Sequence, residues 1–185
     1  MNTLSSILKL WFILAVTLTL MCGIIYIVVQ QNYRLTANDP QTSMANDAAN
    51  DIDNGMDPIT LVTNPPLDLS NSLSPYLIIY NGNKEPVASG TLLNGKIPEL
   101  PSGVLDYVKK NGEDVISWQP RPGIRQALVI KKTKGNLFYV AAGRSLQKTE
   151  ERISVLGKQI MFGWICSVII IFFVIWIIKI LPKQE

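Results

Sequence analysis

Histidine is absent from all 185 residues. That absence removes a serine–histidine–aspartate triad, a cysteine–histidine pair, histidine-ligated zinc and a phospho-accepting histidine. Cysteine occurs twice, at Cys22 and Cys166, and both sit inside long apolar runs. The polar middle of the chain therefore holds neither a disulfide nor a thiolate, and cysteine usage says nothing of its redox compartment. No Asn-x-Ser/Thr acceptor occurs. No nucleophile–base set or catalytic carboxylate pair stands out, and Gly82, Gly90 and Gly95 form no phosphate loop. Neither an enzyme nor a bound cofactor is expected from this inventory. Residues 30–159 carry fourteen Lys and Arg against thirteen Asp and Glu. Such a balance gives no footprint for nucleic acid.

What the chain does have is two uncharged apolar runs. Residues 10–29 read LWFILAVTLTLMCGIIYIVV and residues 160–178 read IMFGWICSVIIIFFVIWII. At about 1.5 Å rise per residue the first spans roughly 30 Å, the thickness of a bilayer's hydrocarbon core. The first run is long for a signal-peptide core, and no small-x-small site follows it at Val29-Gln30-Gln31. A lipoprotein signal would use Cys22, but Met21 precedes it and the run continues beyond. An uncleaved anchor is expected. Lys9, Lys179 and Lys183 flank the two runs, so positive charge favours cytoplasmic termini and an extracytoplasmic middle. The expected layout is a cytoplasmic tail (1–9), a first span (10–29), a domain (30–159), a second span (160–178) and a cytoplasmic tail (179–185). Trp11, Tyr26, Trp164 and Trp176 suit membrane interfaces. Cys22 and Cys166 are expected at similar depth, as small apolar fillers.

Within the domain, residues 30–35 continue the first helix. Asp39 then serves as N-cap with Pro40 at the first helical position. Tyr33, Ala37, Met44, Ala48 and Ile52 recur at about helical spacing, and Gly55 suits a stop. Six Asp and no Lys or Arg occur between Asp39 and Asp68. Their spacing is not that of an EF-hand, and a solvated acidic face is expected. Residues 57–74, with Pro58, Pro65 and Pro66, read as an irregular connector. Strands are expected at 76–80, 86–91, 114–118, 124–133 and 136–143, the last apolar on both faces and so central. Residues 103–111 read as a short helix capped by Ser102, with Leu105 and Val108 turned inward and Gly112 after its end. The fold class is α+β: an antiparallel five-stranded sheet with helices on one face and a long N-terminal helix, between two transmembrane helices. This element order resembles the PAS-like folds of extracytoplasmic sensors, known as Cache domains.

A second resemblance lies where the sheet ends. The run Tyr139-Val-Ala-Ala-Gly-Arg-Ser-Leu146 leads through Gln-Lys-Thr-Glu-Glu-Arg-Ile153 into the second span. It is similar to the membrane-proximal junction of bacterial sensor histidine kinases, where the last sensor strand runs into an exit helix. Gly143 is expected to allow a bend, Arg144 to brace the junction and Ser145 to cap the exit helix (145–159). Leu146, Thr149, Ile153, Leu156 and Ile160 alternate steps of three and four, a helix-packing seam. Either a homodimer or partner contact, or packing against the Tyr33–Ile52 helix, would use it. The kinase output of that family is absent from the seven residues after Ile178. The resemblance therefore implies a sensory or regulatory module acting through a membrane partner such as a sensor kinase. The alternative is a structural or assembly subunit of an envelope complex.

One loop invites a ligand. In Trp118-Gln-Pro-Arg-Pro-Gly-Ile-Arg125, prolines and glycine stiffen the backbone and Arg121 and Arg125 present guanidinium groups. Two such groups suit a small anionic ligand or lipid head groups. The competing reading is a stiff hairpin with solvated arginines. Tyr80, Trp118 and Tyr139, with Tyr76, Tyr107 and Phe138, would line a pocket or simply fill the core.

Overall fold

The computed structural model describes residues 3–135 and 137–180. The expected tail residues 1–2 and 181–185, and Asn136 at the expected start of the last strand, lie outside the described residues. Two compact units form. The terminal segments up to Tyr33 and from Glu151 make one, and Arg34–Glu150 make the other.

In the first unit, α1 (Thr3–Thr36) and the long C-terminal helix (Gln147–Ile180) are both long and apolar enough to cross a membrane. Their outward faces, including Phe12, Leu20, Ile24, Phe162, Ile170 and Phe173, are exposed, which is compatible with a membrane environment. Inward, Ile7, Trp11, Ala15, Leu18, Cys22, Tyr26, Val29 and Tyr33 form a shielded stripe on α1. The indole of Trp164 donates to Thr19 Oγ1 at 2.9 Å and that of Trp11 to the Val168 carbonyl at 3.1 Å. Trp11 also meets Phe172 edge-on, with centroids 6.1 Å apart. Trp11 and Trp164 thus face the other helix, where apolar surroundings make an unpaired indole N–H costly. The pairing of Thr19 with Trp164 and of Tyr26 with Gly157 corrects the cysteine expectation. Cys22 is level with about Met161 and Cys166 with about Thr17, so the thiols are offset by roughly 7 Å along the axes.

The second unit starts with α2 (Asp39–Asp53). Its N-cap is Asn38 in helical conformation, with Asp39 already in the first turn, so the helix starts one residue earlier than a capping Asp39 would give. Gln41, Ala45, Ala48, Ala49 and Ile52 are its buried face, and Gly55 follows the end at φ +92°. The connector is more ordered than its prolines imply. Asp57 accepts from the Ile59 N–H and caps α3 (Pro58–Leu61), and β1 (Leu67–Asp68) pairs in parallel with β4 (Thr91–Leu92). Between them run β2 (Tyr76–Asn81) and β3 (Pro86–Ser89). After these come α4 (Val104–Asn111), β5 (Glu113–Arg121), β6 (Ile124–Lys132), β7 (Phe138–Ser145) and α5, the Gln147–Ile180 helix. Gly103 at φ +85°, not Ser102, occupies the N-cap of α4.

The main sheet is fully antiparallel with order β3-β2-β7-β6-β5. Its three central strands are buried on both faces, which explains their continuous apolar runs. One face packs Leu77, Ile79, Val129, Val140 and Ala142 under α2. The other packs Tyr76, Ile78, Tyr80, Trp118, Leu128, Ile130 and Tyr139 under α4 and the segment around Leu69, Ile97 and Leu100. Helices therefore cover both faces rather than one. The sequence stripe misses this because α2 seats itself on three alanines, whose small side chains let it lie close across β6 and β7. Each fully buried Ile or Leu contributes roughly 1.5–3 kcal/mol of transfer free energy.

Two further aspartates of the acidic stretch accept backbone N–H groups, one of them from far along the chain. Asp53 accepts from the Lys134 N–H at 3.0 Å, and Asp68 accepts from the Ser70 N–H at 2.9 Å.

Candidate functional site

The segment from Trp118 to Arg125 is not a loop. Strands β5 and β6 run through it, leaving only Pro122-Gly123 as the turn, with a register shift between Trp118 and Arg121. Gly123 takes φ +83°, which favours glycine there. Arg121 donates to Asn94 Oδ1 at 2.9 Å, and Arg125 forms an ion pair with Glu150. The two guanidinium groups thus have different partners, Asn94 and Glu150. Trp118, Tyr80 and Tyr139 are 6%, 4% and 2% exposed and belong to one core cluster.

Tyr80 lines a half-open cleft of about 460 Å³ between the β2–β3 turn, the 97–103 loop and the first turn of α4. That size lies within the range of small-molecule sites. The floor is apolar, from Ile97, Leu100 and Leu105 with three prolines, and the rim carries Lys84, Glu85, Glu99 and Asp106. Asn81 shapes the rim. Its Oδ1 accepts from the N–H groups of Asn83 and Glu85, at 3.0 and 2.9 Å, and its amide donates to Glu85 Oε2. Lys84, held at φ +69°, forms an ion pair with Asp106 across the mouth. The hydrogen bond and charge of Lys84 hold the Asp106 carboxyl below its usual range. The hydroxyl of Tyr80, a residue that lines this cleft, is buried with no hydrogen-bond partner among the described residues. Burial, and secondarily the charge of Glu99, raise its pKa well above the ordinary tyrosine value. The Tyr76 hydroxyl and the Gln126 amide, on the same sheet face, are likewise buried without such partners.

Sequence reasoning missed the cleft's rim. The signal available was the run Ile97-Pro-Glu-Leu-Pro101, where an acid sits between prolines in a loop too apolar for plain solvent exposure.

The junction residues fall together, with different roles. Gly143 lies inside β7, not at a bend, and a Cβ there would come within 2.3 Å of the Tyr76 ring. It is a glycine because that ring crosses it. Strand β7 runs through Arg144, which is exposed, to Ser145. Ser145 Oγ accepts from the Gln147 N–H at 3.3 Å, but α5 begins at Gln147 and the Leu146 carbonyl accepts from the Glu150 N–H, so Ser145 lies one position outside the N-cap. The Leu146 N–H donates to the Arg125 carbonyl at 2.9 Å. With its ion pair to Glu150 in the first turn of α5, Arg125 thus holds the junction from both backbone and side chain. Further along α5, Ile153, Leu156 and Ile160 are half-buried. They share a face with Gly157, which meets Tyr26 of α1, so this part of the seam packs within the chain. No family model matches this chain, and no curated protein or solved structure matches it either.

Proposed function

We propose that the chain is a two-pass membrane protein whose PAS/Cache-like domain lies outside the cytoplasm, binds a small molecule in the Tyr80 cleft and acts through a membrane partner. One observation carries the reading: the strand that floors the cleft is hydrogen-bonded to the strand that becomes the exit helix. Tyr80 on β2 is in register with Tyr139 on β7, and β7 leads through the Arg125-braced turn into α5. An antiparallel ladder resists sliding, so displacement of β2 by an occupant is felt at Ser145. The sheet order, with its first and last strands adjacent at the centre, supports the PAS-like assignment. Two long helices with exposed apolar faces support the membrane placement, and Lys9 and Lys179 favour cytoplasmic termini.

The test is a thermal-shift screen of the full chain in lipid nanodiscs against a metabolite extract, with hydrogen exchange followed at residues 145–150. A fraction that raises the melting temperature and alters exchange at the junction supports the sensory reading. An unresponsive chain that co-purifies with one membrane protein favours the assembly role instead.

A further inference from the structure

The rim of the cleft carries three carboxylates, Glu85, Glu99 and Asp106, against the single cation Lys84. Lys84 is already committed to Asp106, and Glu85 accepts from the Asn81 amide. Glu99 has no hydrogen bond or ion pair among the described residues. Its charge nevertheless acts on the hydroxyl of Tyr80, a residue lining the same cleft, and that hydroxyl is buried without a partner among the described residues. We propose that the Tyr80 cleft takes a small organic cation, an ammonium group on an apolar body, with Glu99 as its charge partner and the Tyr80 hydroxyl as its hydrogen-bond acceptor.

The proposal rests on the reading of this domain as a small-molecule sensor and narrows its ligand. An anion would meet a net negative rim and find its only cation occupied. A bare metal ion would need clustered ligands, and no group of three or more Asp, Glu, Cys or His able to hold one occurs among the described residues. An ammonium ion supplies what both groups lack. It donates to the carboxylate in a charge-assisted bond and to the neutral phenol's lone pair, while the ring face of Tyr80 favours a cation nearby. The apolar floor, Leu105 included, buries the rest of the molecule.

The experiment is isothermal titration of the full chain in nanodiscs with phenethylamine, phenethyl alcohol and phenylacetate, which share a body and differ in charge. The expected order is amine first, with salt weakening its binding. Glu99→Gln, an exposed and shape-preserving change, weakens the amine roughly tenfold and leaves the alcohol unaffected. Tyr80→Phe weakens it several-fold. Ser102→Trp, an exposed residue at the cleft's mouth, removes binding altogether. Preference for the alcohol or the acid, still blocked by Ser102→Trp, overturns the cation assignment and leaves the sensor reading standing. Amine binding indifferent to Glu99→Gln and Ser102→Trp overturns the site. Failure of all three compounds to bind overturns both the cation assignment and the cleft as a ligand site.

Discussion

Three residues, Gly143, Tyr76 and Tyr80, carry structural demands that the chemistry of their neighbours makes testable. Gly143 is the close-approach point of the sheet: an added Cβ meets the Tyr76 Cζ at 2.3 Å. Gly143→Ala is expected to destabilise the domain by about 1–3 kcal/mol, because a packed core must shift to admit one methyl group. Combining it with Tyr76→Leu should recover part of that loss beyond additivity, which a double-mutant cycle on melting temperature detects. The tyrosines give a second prediction. Burial raises the Tyr76 and Tyr80 pKa above the ordinary value of 10.0. A group raised in the folded state keeps its full contribution below the unfolded value and loses it as pH climbs toward the folded one. The domain should therefore hold its near-ultraviolet circular dichroism up to about pH 10 and lose it in more alkaline solution. Tyr76→Phe with Tyr80→Phe should extend the stable range upward. An unshifted alkaline transition in that double variant would contradict the buried, protonated hydroxyls.

At the scale of elements, the junction depends on Arg125, which reaches both the Leu146 N–H, through its carbonyl, and Glu150. Both side chains of the ion pair are about half exposed, so the pair is worth at most ~1 kcal/mol to global stability. Its expected effect is local. Arg125→Ala should leave the melting temperature within a few degrees of wild type while speeding hydrogen exchange through residues 146–150. Unchanged exchange there would show that the strand-to-helix turn holds without it. Most elements were legible in the residues. The continuous apolar runs of β2, β6 and β7 and the Gly112 stop are local signals, and local signals survive in the sequence. What was not legible depends on residues distant along the chain. Arg125 reads as a free ligand-binding guanidinium until Glu150, twenty-five positions later, is placed beside it. Gly143 reads as a bend until the Tyr76 ring is seen to cross it. The helix α2 was legible, but not that it covers the second sheet face, because it docks through Ala45, Ala48 and Ala49, which carry little apolar signal. The cleft escaped for the same reason, since Tyr80, Glu99 and Asp106 meet only in the fold.

For the whole molecule, the helix pair and the sheet domain make separate predictions. In the pair, the offset of Cys22 from Cys166 exceeds what a disulfide tolerates. Oxidation in native membranes should yield no Cys22–Cys166 bridge. In a chain whose native cysteines are replaced by serine, Thr19→Cys with Trp164→Cys should cross-link readily, because those positions face each other. A Cys22–Cys166 bridge forming at a comparable rate would refute the register of the two helices.

The sheet domain bears the central claim, that its cleft is a built ligand site linked to the exit helix. The most direct measurement is native mass spectrometry of the full chain, released gently from native membranes into nanodiscs, for wild type and Ser102→Trp side by side. The account predicts a small molecule on the wild-type chain, or its ready uptake from a metabolite extract, and a bare mass for the variant. A bare wild-type chain that takes up nothing, indistinguishable from Ser102→Trp, would contradict it.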